Sequence, residues 1–221
     1  MIPFARMLEY GNEIKENIVL DIDFSTYDLG TRDTINDNAG NNFVKSGSGE
    51  TRIVYENSIG RVMYFGGSAS FICPMNENLS LSSKSFEMRV VFMSTVSNEN
   101  IILSTGDYYN PGGIVGGMAL ALFNPYAGSQ LFCTTSTGDY TMCSFSYLVN
   151  TWRDISFFWN NSTRSMRIYD NVSLTNIGNY TVLGGFGDGT NFCIGASYVR
   201  GTDIASFQGY LKKIKITEIG D

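Results

Sequence analysis

Apolar and polar residues alternate along most of this 221-residue chain with the two-residue period of β-strands. An example is NIVLDIDFS at residues 17–25, which predicts one apolar face and one polar face. The predicted apolar face holds Ile18, Leu20, Ile22 and Phe24, and the predicted polar face holds Val19, Asp21 and Asp23. SFEMRVVFMS at residues 85–94 alternates in the same way. No segment keeps the 3.6-residue period of an amphipathic helix.

About thirteen segments have this strand character, with turns between them every 8–12 residues or so. Turns are predicted at Asn57–Gly60 and Gly66–Gly67, and residues 152–171 predict a hairpin around a polar turn. STYDLGTRDTINDNAGNNF at residues 25–43 is expected to be a polar, Gly-rich loop. The pattern predicts an all-β fold of two antiparallel sheets packed face to face, with a barrel as the alternative.

The composition supports a globular all-β domain. Hydrophobic residues make up 43% of the chain and charged residues 16%, and Gly (24), Tyr (13) and Phe (15) are abundant. The formal net charge is −6 and the Lys and Arg residues are scattered, which argues against binding to nucleic acid or to an acidic membrane surface. The sequence has no apolar run long enough to predict membrane insertion.

The chain has four Cys residues, none in a C-x-x-C pair, and no His. Cys133 and Cys143 flank a predicted turn, so a disulfide between them is one interpretation. The favoured alternative is that all four are small buried apolar side chains. Without His the chain lacks the usual general base and the usual partner of a nucleophilic Ser or Cys.

The order of motifs resembles that of the concanavalin A-like lectin and glucanase jelly rolls, in particular the laminin-G-like branch. The resemblance covers residues 18–218 and implies a two-sheet antiparallel β-sandwich. It rests on an opening strand followed by DNAGNNF, on GRVMYFGGSASFI ahead of SFEMRVVFM, and on a later hairpin and closing strand. The matching residues of the hairpin and closing strands are Trp152, Ile155, Phe157, Met166, Ile168, Tyr169, Asp170, Ile194, Gly195, Phe207, Gly209, Leu211, Ile214 and Ile216.

Three local features of the sequence predict backbone geometry. Asn171 stands where the family has a turn Gly, and Asn is expected to take the same positive φ. The spacing between Leu211 and Ile214 requires a β-bulge or a switch of face. Gly60, Gly67 and Gly195 stand at predicted turns, where the backbone freedom of Gly is needed.

The sequence predicts no enzyme. Glucanases of this superfamily carry a Glu-x-Asp-x-x-Glu strand, and the chain has no such motif. Asp21 and Asp23 share one face of a strand, but a solvated outer face explains them better than a catalytic pair. A divergent glycosidase is therefore the least favoured alternative.

Ligand-binding candidates lie in turn-rich segments, where exposed rings beside polar groups are typical of sugar or protein contacts. They are Asp107, Tyr108, Tyr109, Asn110 and Tyr126. The alternative is that these rings cap sheet edges. The resemblance also implies calcium on rim loops in some members, with Asp33, Asp37 and Asp107 as candidate ligands and ordinary turn hydrogen bonding as the alternative. No other cofactor is predicted.

Residues 1–17 predict a separate docking arm ahead of a sandwich domain at residues 18–221. The apolar residues of the arm are Ile2, Phe4, Met7, Leu8 and Tyr10. Arg6 and Glu9 interrupt the apolar run that a secretion signal needs.

Together these features favour the hypothesis of a non-enzymatic bacteriophage virion protein with a structural or adhesion role, either tail-associated or capsid-decorating. Its arm would bind other virion proteins or a second copy, and its sandwich would contact a virion neighbour or a host surface glycan. The alternative is a secreted carbohydrate-binding lectin.

Overall fold

A computed structural model describes residues 16–97, 100–105, 117–122, 129–134, 140–181, 189–199, 202–204 and 206–220. A 3₁₀ turn, Phe24–Thr26, follows the first strand. In chain order the strands are β1 (Asn17–Asp23), β2 (Gly30–Thr31), β3 (Thr34–Asn36), β4 (Asn42–Gly47), β5 (Thr51–Glu56), β6 (Gly60–Gly66), β7 (Ala69–Pro74), β8 (Ser85–Ser94), β9 (Asn100–Thr105), β10 (Gly117–Leu122), β11 (Ser129–Thr134), β12 (Tyr140–Phe145), β13 (Arg153–Asn160), β14 (Ser165–Asp170), β15 (Thr175–Thr181), β16 (Asn191–Ile194), β17 (Ser197–Val199), β18 (Thr202–Ile204) and β19 (Gln208–Ile219).

The strands form two antiparallel sheets, which confirms the predicted all-β sandwich. The first sheet has the order β15-β14-β13-β8-β19-β6-β5-β2, and β1 also pairs with β19. The second has the order β12-β11-β10-β9-β16-β7-β4-β3, while β17 and β18 form a small hairpin. Among the described residues, none belongs to a helix with the length and apolar character that a membrane crossing requires.

Aromatic rings join the two sheets across the core. Phe65 of the first sheet meets Phe71 of the second edge-on, with ring centroids 6.0 Å apart, and Phe145 meets Phe157 at 5.7 Å. All four rings are buried. An aromatic pair of this kind contributes about 0.5–1.5 kcal/mol beyond the burial of its area, so these contacts help to fix how the sheets stack.

The prediction for the start of β1 is wrong at two residues. Val19 is buried and Ile18 is 36% exposed, the reverse of the expected faces. The register between β1 and β19 shifts between Ile18 and Leu20, so a bulge reverses the alternation there. From Leu20 onward the predicted faces are correct, with Ile22 and Phe24 in the core.

The segment at residues 25–43 is more structured than the predicted loop. It contains β2 and β3 and leads into β4, which pairs with β3 and β7. Ile35 and Phe43 are fully buried, so two apolar residues in a polar stretch are enough to hold it against the core. β15, which also was not predicted, is an exposed edge strand with no buried residue.

The cysteines support the favoured interpretation where their side chains are described. Cys73 and Cys193 are buried. Pairing of β11 with β12 sets Cys133 opposite Thr141 and Cys143 opposite Leu131, so these two cysteines are diagonal neighbours. A diagonal pair lies about 7–8 Å apart, beyond the separation of about 4.4–6.8 Å between the Cα atoms of most disulfides.

The predicted role of three glycines in turns is confirmed. Gly60, Gly67 and Gly195 all have positive φ, at 91°, 83° and 89°. Gly195 is also tightly enclosed, because a Cβ there would lie 2.5 Å from Phe65 Cε1. Its backbone joins three segments, since its N–H donates to Ile102 O and its carbonyl accepts from Phe207 N.

We expect Gly195→Ala to lower the free energy of unfolding by more than about 2 kcal/mol, because it combines a left-handed backbone with a steric clash. Gly60→Ala is the matched control, since its φ is similar and a Cβ there meets nothing within 4 Å. The control is expected to cost about 1–2 kcal/mol. Urea unfolding of both variants measures the difference, and equal losses would contradict the role of the Phe65 contact.

Candidate functional site

The outer face of the first sheet carries a cleft of about 350 Å³. Its apolar wall is formed by Val91, Trp152 and Val172, and its polar wall includes Arg89, Asp154, Lys212 and Lys213. The cleft lies where β19 changes neighbours. Residues up to Leu211 pair with β6, and those from Lys213 onward pair with β1.

A β-bulge in β19 places two lysines in the cleft. The register between β19 and β8 shifts between Leu211 and Lys213, as the spacing predicted, and Lys212 is the extra residue. Leu211 is buried in the core, while Lys212 and Lys213 both line the cleft. Lys212 Nζ donates to Ile59 O at 2.9 Å, and Lys213 Nζ lies 3.3 Å from Asp23 Oδ2. The bulge therefore re-aims a side chain that regular alternation would turn inward.

Asp154 is the centre of a polar network on the cleft wall. Arg89 donates two hydrogen bonds to its carboxylate, from Nε to Oδ1 at 2.9 Å and from Nη2 to Oδ2 at 2.6 Å. Asn171 Nδ2 donates to Asp154 Oδ1 at 2.8 Å and to Ser156 Oγ at 3.0 Å. Hydrogen bonding by Asp154 raises the pKa of Arg89. This two-bond geometry fixes the orientation of both side chains.

The prediction for Asn171 is wrong. Its φ is not positive, and the positive φ of this turn belongs to Leu174, at 55°. The hydrogen bonds from Asn171 to Asp154 and Ser156 explain its place instead, because they tie the turn to the cleft wall. The same turn presents Val172, which lines the cleft and is 77% exposed.

Asp21 and Asp23 have separate structural partners. Asp23 accepts hydrogen bonds from Ser25 N at 3.0 Å and Ser25 Oγ at 2.6 Å, capping the 3₁₀ turn, and it pairs with Lys213. Burial raises the pKa of Asp23, but the hydrogen bonds from Ser25 and the charge of Lys213 outweigh it, so the pKa is lowered. Asp21 Oδ2 accepts from Asn38 Nδ2 at 3.2 Å.

Three aromatic rings extend from the cleft across the sheet. The rings of Trp152 and Tyr210 have centroids 6.4 Å apart, and those of Tyr210 and Tyr64 are 5.3 Å apart. The guanidinium of Arg52 lies 5.6 Å from the Tyr64 ring centroid. In register, Tyr210 is opposite Tyr64, and Tyr64 is opposite Arg52. We call Trp152, Tyr210 and Tyr64 the ring row, with Arg52 at its far end.

Trp152 has a buried indole N–H at the head of the ring row. Its Nε1 is buried and has no acceptor at hydrogen-bonding geometry, and neither has Arg153 Nε. The nearby Glu56 carboxylate accepts from Ser58 Oγ and Ser58 N. The Ser58 hydrogen bond lowers the pKa of Glu56, and the Trp152 indole contributes in the same direction. Because Nε1 itself is buried, the partly exposed ring of Trp152, and not its N–H, offers surface to a ligand.

The predicted ligand-binding residues are not among those the structure describes. Asp107, Tyr108, Tyr109, Asn110 and Tyr126 lie outside the described residues, as do the arm residues Ile2, Phe4, Met7, Leu8 and Tyr10. These assignments stay predictions, as does the division of the chain at residue 17.

Two of the three calcium candidates are described. Asp37 is buried, and its carboxylate accepts hydrogen bonds from Asn41 N at 2.6 Å and from Asn41 Nδ2 at 2.8 Å. These are the ordinary hydrogen bonds of an Asp side chain within a turn. Asp33 has a side chain that is 83% exposed and lies 4.0 Å from Lys45 Nζ. Asp107 lies outside the described residues. Within the described part of the chain, no three Cys, Asp or Glu side chains cluster as metal ligands would. The calcium site stays a prediction.

The sequence motifs indicated Trp152 only as a residue of the fold, and they did not predict the cleft. One local feature of the sequence does point to the outer face of β19. A bulge between Leu211 and Ile214 implies that consecutive lysines share the outer face. The ring row had no local signal, because its members are far apart in sequence and meet only through strand register.

Comparison with known proteins finds the same β-sandwich fold in other solved structures. The sequence matches neither a protein-family model nor a curated protein. Solved structures of similar fold include domain 4 of AbnA, a GH43 extracellular arabinanase from Geobacillus stearothermophilus, in complex with arabinotriose. Its TM-score is 0.66 at 14% identity, over 92% of this chain and 93% of that one.

Two further structures are similar. The binding domain of Paraclostridial Mosquitocidal Protein 1 has a TM-score of 0.64 at 16% identity, with 93% of this chain and 49% of that chain covered. The CBM40 domain of the Ruminococcus gnavus IT-sialidase, bound to alpha2,3 sialyllactose, has a TM-score of 0.57 at 12% identity, over 92% and 95% of the two chains. At such identities the likeness concerns the fold, and it agrees with the jelly roll that the sequence motifs implied.

Proposed function

We propose that this domain is a non-enzymatic glycan-binding module and that the cleft at Trp152 holds the sugar. The observation that carries this proposal is the indole ring of Trp152, which lines a cleft of charged and polar side chains and continues into the ring row. A cleft of about 350 Å³ is at the lower end of the range of small-molecule sites, about 300–1,000 Å³.

The chemistry of the cleft matches a sugar. A sugar ring has an apolar C–H face, which stacks on an aromatic ring, and hydroxyl groups at its edge, which both donate and accept hydrogen bonds. Trp152 supplies the ring, Arg89 and Lys212 supply donors, and Asp154 supplies acceptors. Because Arg89 and Asp154 hold each other in place, little side-chain entropy is lost when a ligand binds.

Similar structures support this proposal. Two of them are named as complexes with a sugar, arabinotriose in one case and alpha2,3 sialyllactose in the other. A third is named as the binding domain of Paraclostridial Mosquitocidal Protein 1. None of these names describes a catalytic domain, which favours a binding role over the divergent glycosidase.

We expect Trp152→Ala to weaken glycan binding by at least about tenfold, because loss of the stacking ring costs about 1.4 kcal/mol or more. A glycan array identifies the bound sugars, and isothermal titration calorimetry measures the affinity. Tyr55→Ala is the control, because Tyr55 is an exposed ring, 65% accessible, and lies on the opposite side of β5 from Arg52. Equal affinity of wild type and Trp152→Ala would reject the cleft as the sugar site.

We further propose the narrower role of a bacteriophage virion protein, located on the particle, in which the arm binds its neighbours and the sandwich binds a host surface glycan. The apolar residues of the arm support it. A secreted lectin is the alternative. The virion protein and the secreted lectin differ in where the protein is located, and both would bind a sugar in the same cleft.

Deletion of residues 1–15 tests the virion role. Glu16 and Asn17 should be kept, because Lys215 Nζ donates to Glu16 at 2.7 Å and Asn17 Nδ2 donates to Glu218 at 2.6 Å. The full chain is expected to co-purify with tail or capsid particles, and the shortened chain is expected to fold but to be absent from them. Equal incorporation of both chains, or absence of the full chain from particles, would contradict the role.

A further inference from the structure

We propose that the binding site runs from the cleft along the ring row to Arg52, and that it takes an internal stretch of a neutral oligosaccharide chain in preference to a single terminal sugar. This inference rests on the proposed glycan-binding function. It adds the length, direction and charge of the ligand.

The ring row has the length of a chain of sugars. It crosses the first sheet from the start of β13 over β8, β19 and β6 to β5. The successive separations along the row, 6.4, 5.3 and 5.6 Å, make a path of at most about 17 Å. The cleft holds only one end of this path, because Tyr64 and Arg52 do not line it. A ligand confined to the cleft would leave the other rings unused.

The ring row is preorganised for stacking. Tyr210 contacts both Trp152 and Tyr64, so each ring limits the freedom of the next. Arg52 lies over the Tyr64 ring and forms an ion pair with Glu50 at 3.2 Å, which holds the far end. Tyr64 and Tyr210 are both partly exposed, so each offers ring surface to a ligand. A rigid, partly exposed set of rings binds a chain at low entropic cost.

The charges of the cleft favour a neutral chain. Arg89, Arg153 and Lys213 each pair with a carboxylate, while Lys212 donates to a backbone carbonyl. Asp154, Asp170 and Asp23 thus neutralise three of the four cations that line the cleft. Paired charges still offer donors and acceptors to hydroxyl groups. Single-stranded nucleic acid also stacks on rows of rings, but it needs a positively charged groove, and this chain has a net charge of −6.

Calorimetry with defined oligosaccharides tests the inference. The probes are neutral arabino-, xylo-, cello- and galacto-oligosaccharides, each from disaccharide to hexasaccharide, with oligogalacturonate as the acidic probe and oligothymidylate as the nucleic acid. Wild type is expected to bind at least one neutral series, with affinity rising about tenfold or more from disaccharide to hexasaccharide. Oligogalacturonate and oligothymidylate are expected to bind more weakly than that series.

Variants separate the cleft from the rest of the ring row. Tyr64→Ala is expected to remove most of the gain with length, so that the hexasaccharide loses far more affinity than the disaccharide, while Trp152→Ala weakens binding at every length. Arg52→Gln, at an exposed position, is a second variant that affects the long probes alone. Tyr169→Ala is the control, since Tyr169 lies on the same outer face but packs on Phe158, at 5.4 Å, outside the ring row.

The outcomes distinguish the inference from the proposed function. Binding that depends on Trp152 but not on chain length would overturn the inference and leave the glycan-binding function in place. Binding of oligogalacturonate or oligothymidylate in preference to every neutral series would overturn the assignment to a neutral chain. Failure of the wild type to bind any of these oligosaccharides would overturn the inference, while the proposed function would be rejected only if the glycan array also gave no bound sugar.

Discussion

The pairing of β19 with three other strands is the constraint on which the rest of the structure depends. β19 pairs with β8 along one side, and on its other side it pairs first with β6 and then with β1. Leu211, Ile214 and Ile216 point from it into the core and are fully buried. The bulge at Lys212 adds one residue between Leu211 and Ile214, so that both of these side chains face the core.

The candidate site is a consequence of this change of partner. Where β6 gives way to β1, the outer surface of the sheet is interrupted, and the cleft lies at that interruption. On the β1 side, Asp23 caps a turn and pairs with Lys213, which places charged groups along one wall. On the β6 side, Tyr64 and Tyr210 are opposite each other and continue the aromatic surface. The same backbone irregularity therefore provides both the polar cleft and the junction with the ring row.

Local patterns predicted the fold well, and they failed where distant strands or specific hydrogen bonds decide the outcome. Alternation predicted β8, β13 and β14, and the spacing of Leu211 and Ile214 predicted the bulge. Val19 was assigned to the wrong face because a bulge in β1 leaves no mark in the local pattern. The ring row could not be predicted, because Tyr64 and Tyr210 are brought together by the register of two strands that are distant in sequence.

Our central claim is that the indole ring of Trp152, which lines the cleft, is the head of a glycan site. The chain has two tryptophans, and the other, Trp159, is fully buried in the core, so a two-dimensional ¹⁵N–¹H NMR spectrum contains two indole N–H signals. Titration with the best-binding oligosaccharide of the array is the most direct test. We predict that the Trp152 indole signal shifts in a saturable way while the Trp159 signal stays in place. A saturable titration in which the Trp152 signal does not move would contradict the account.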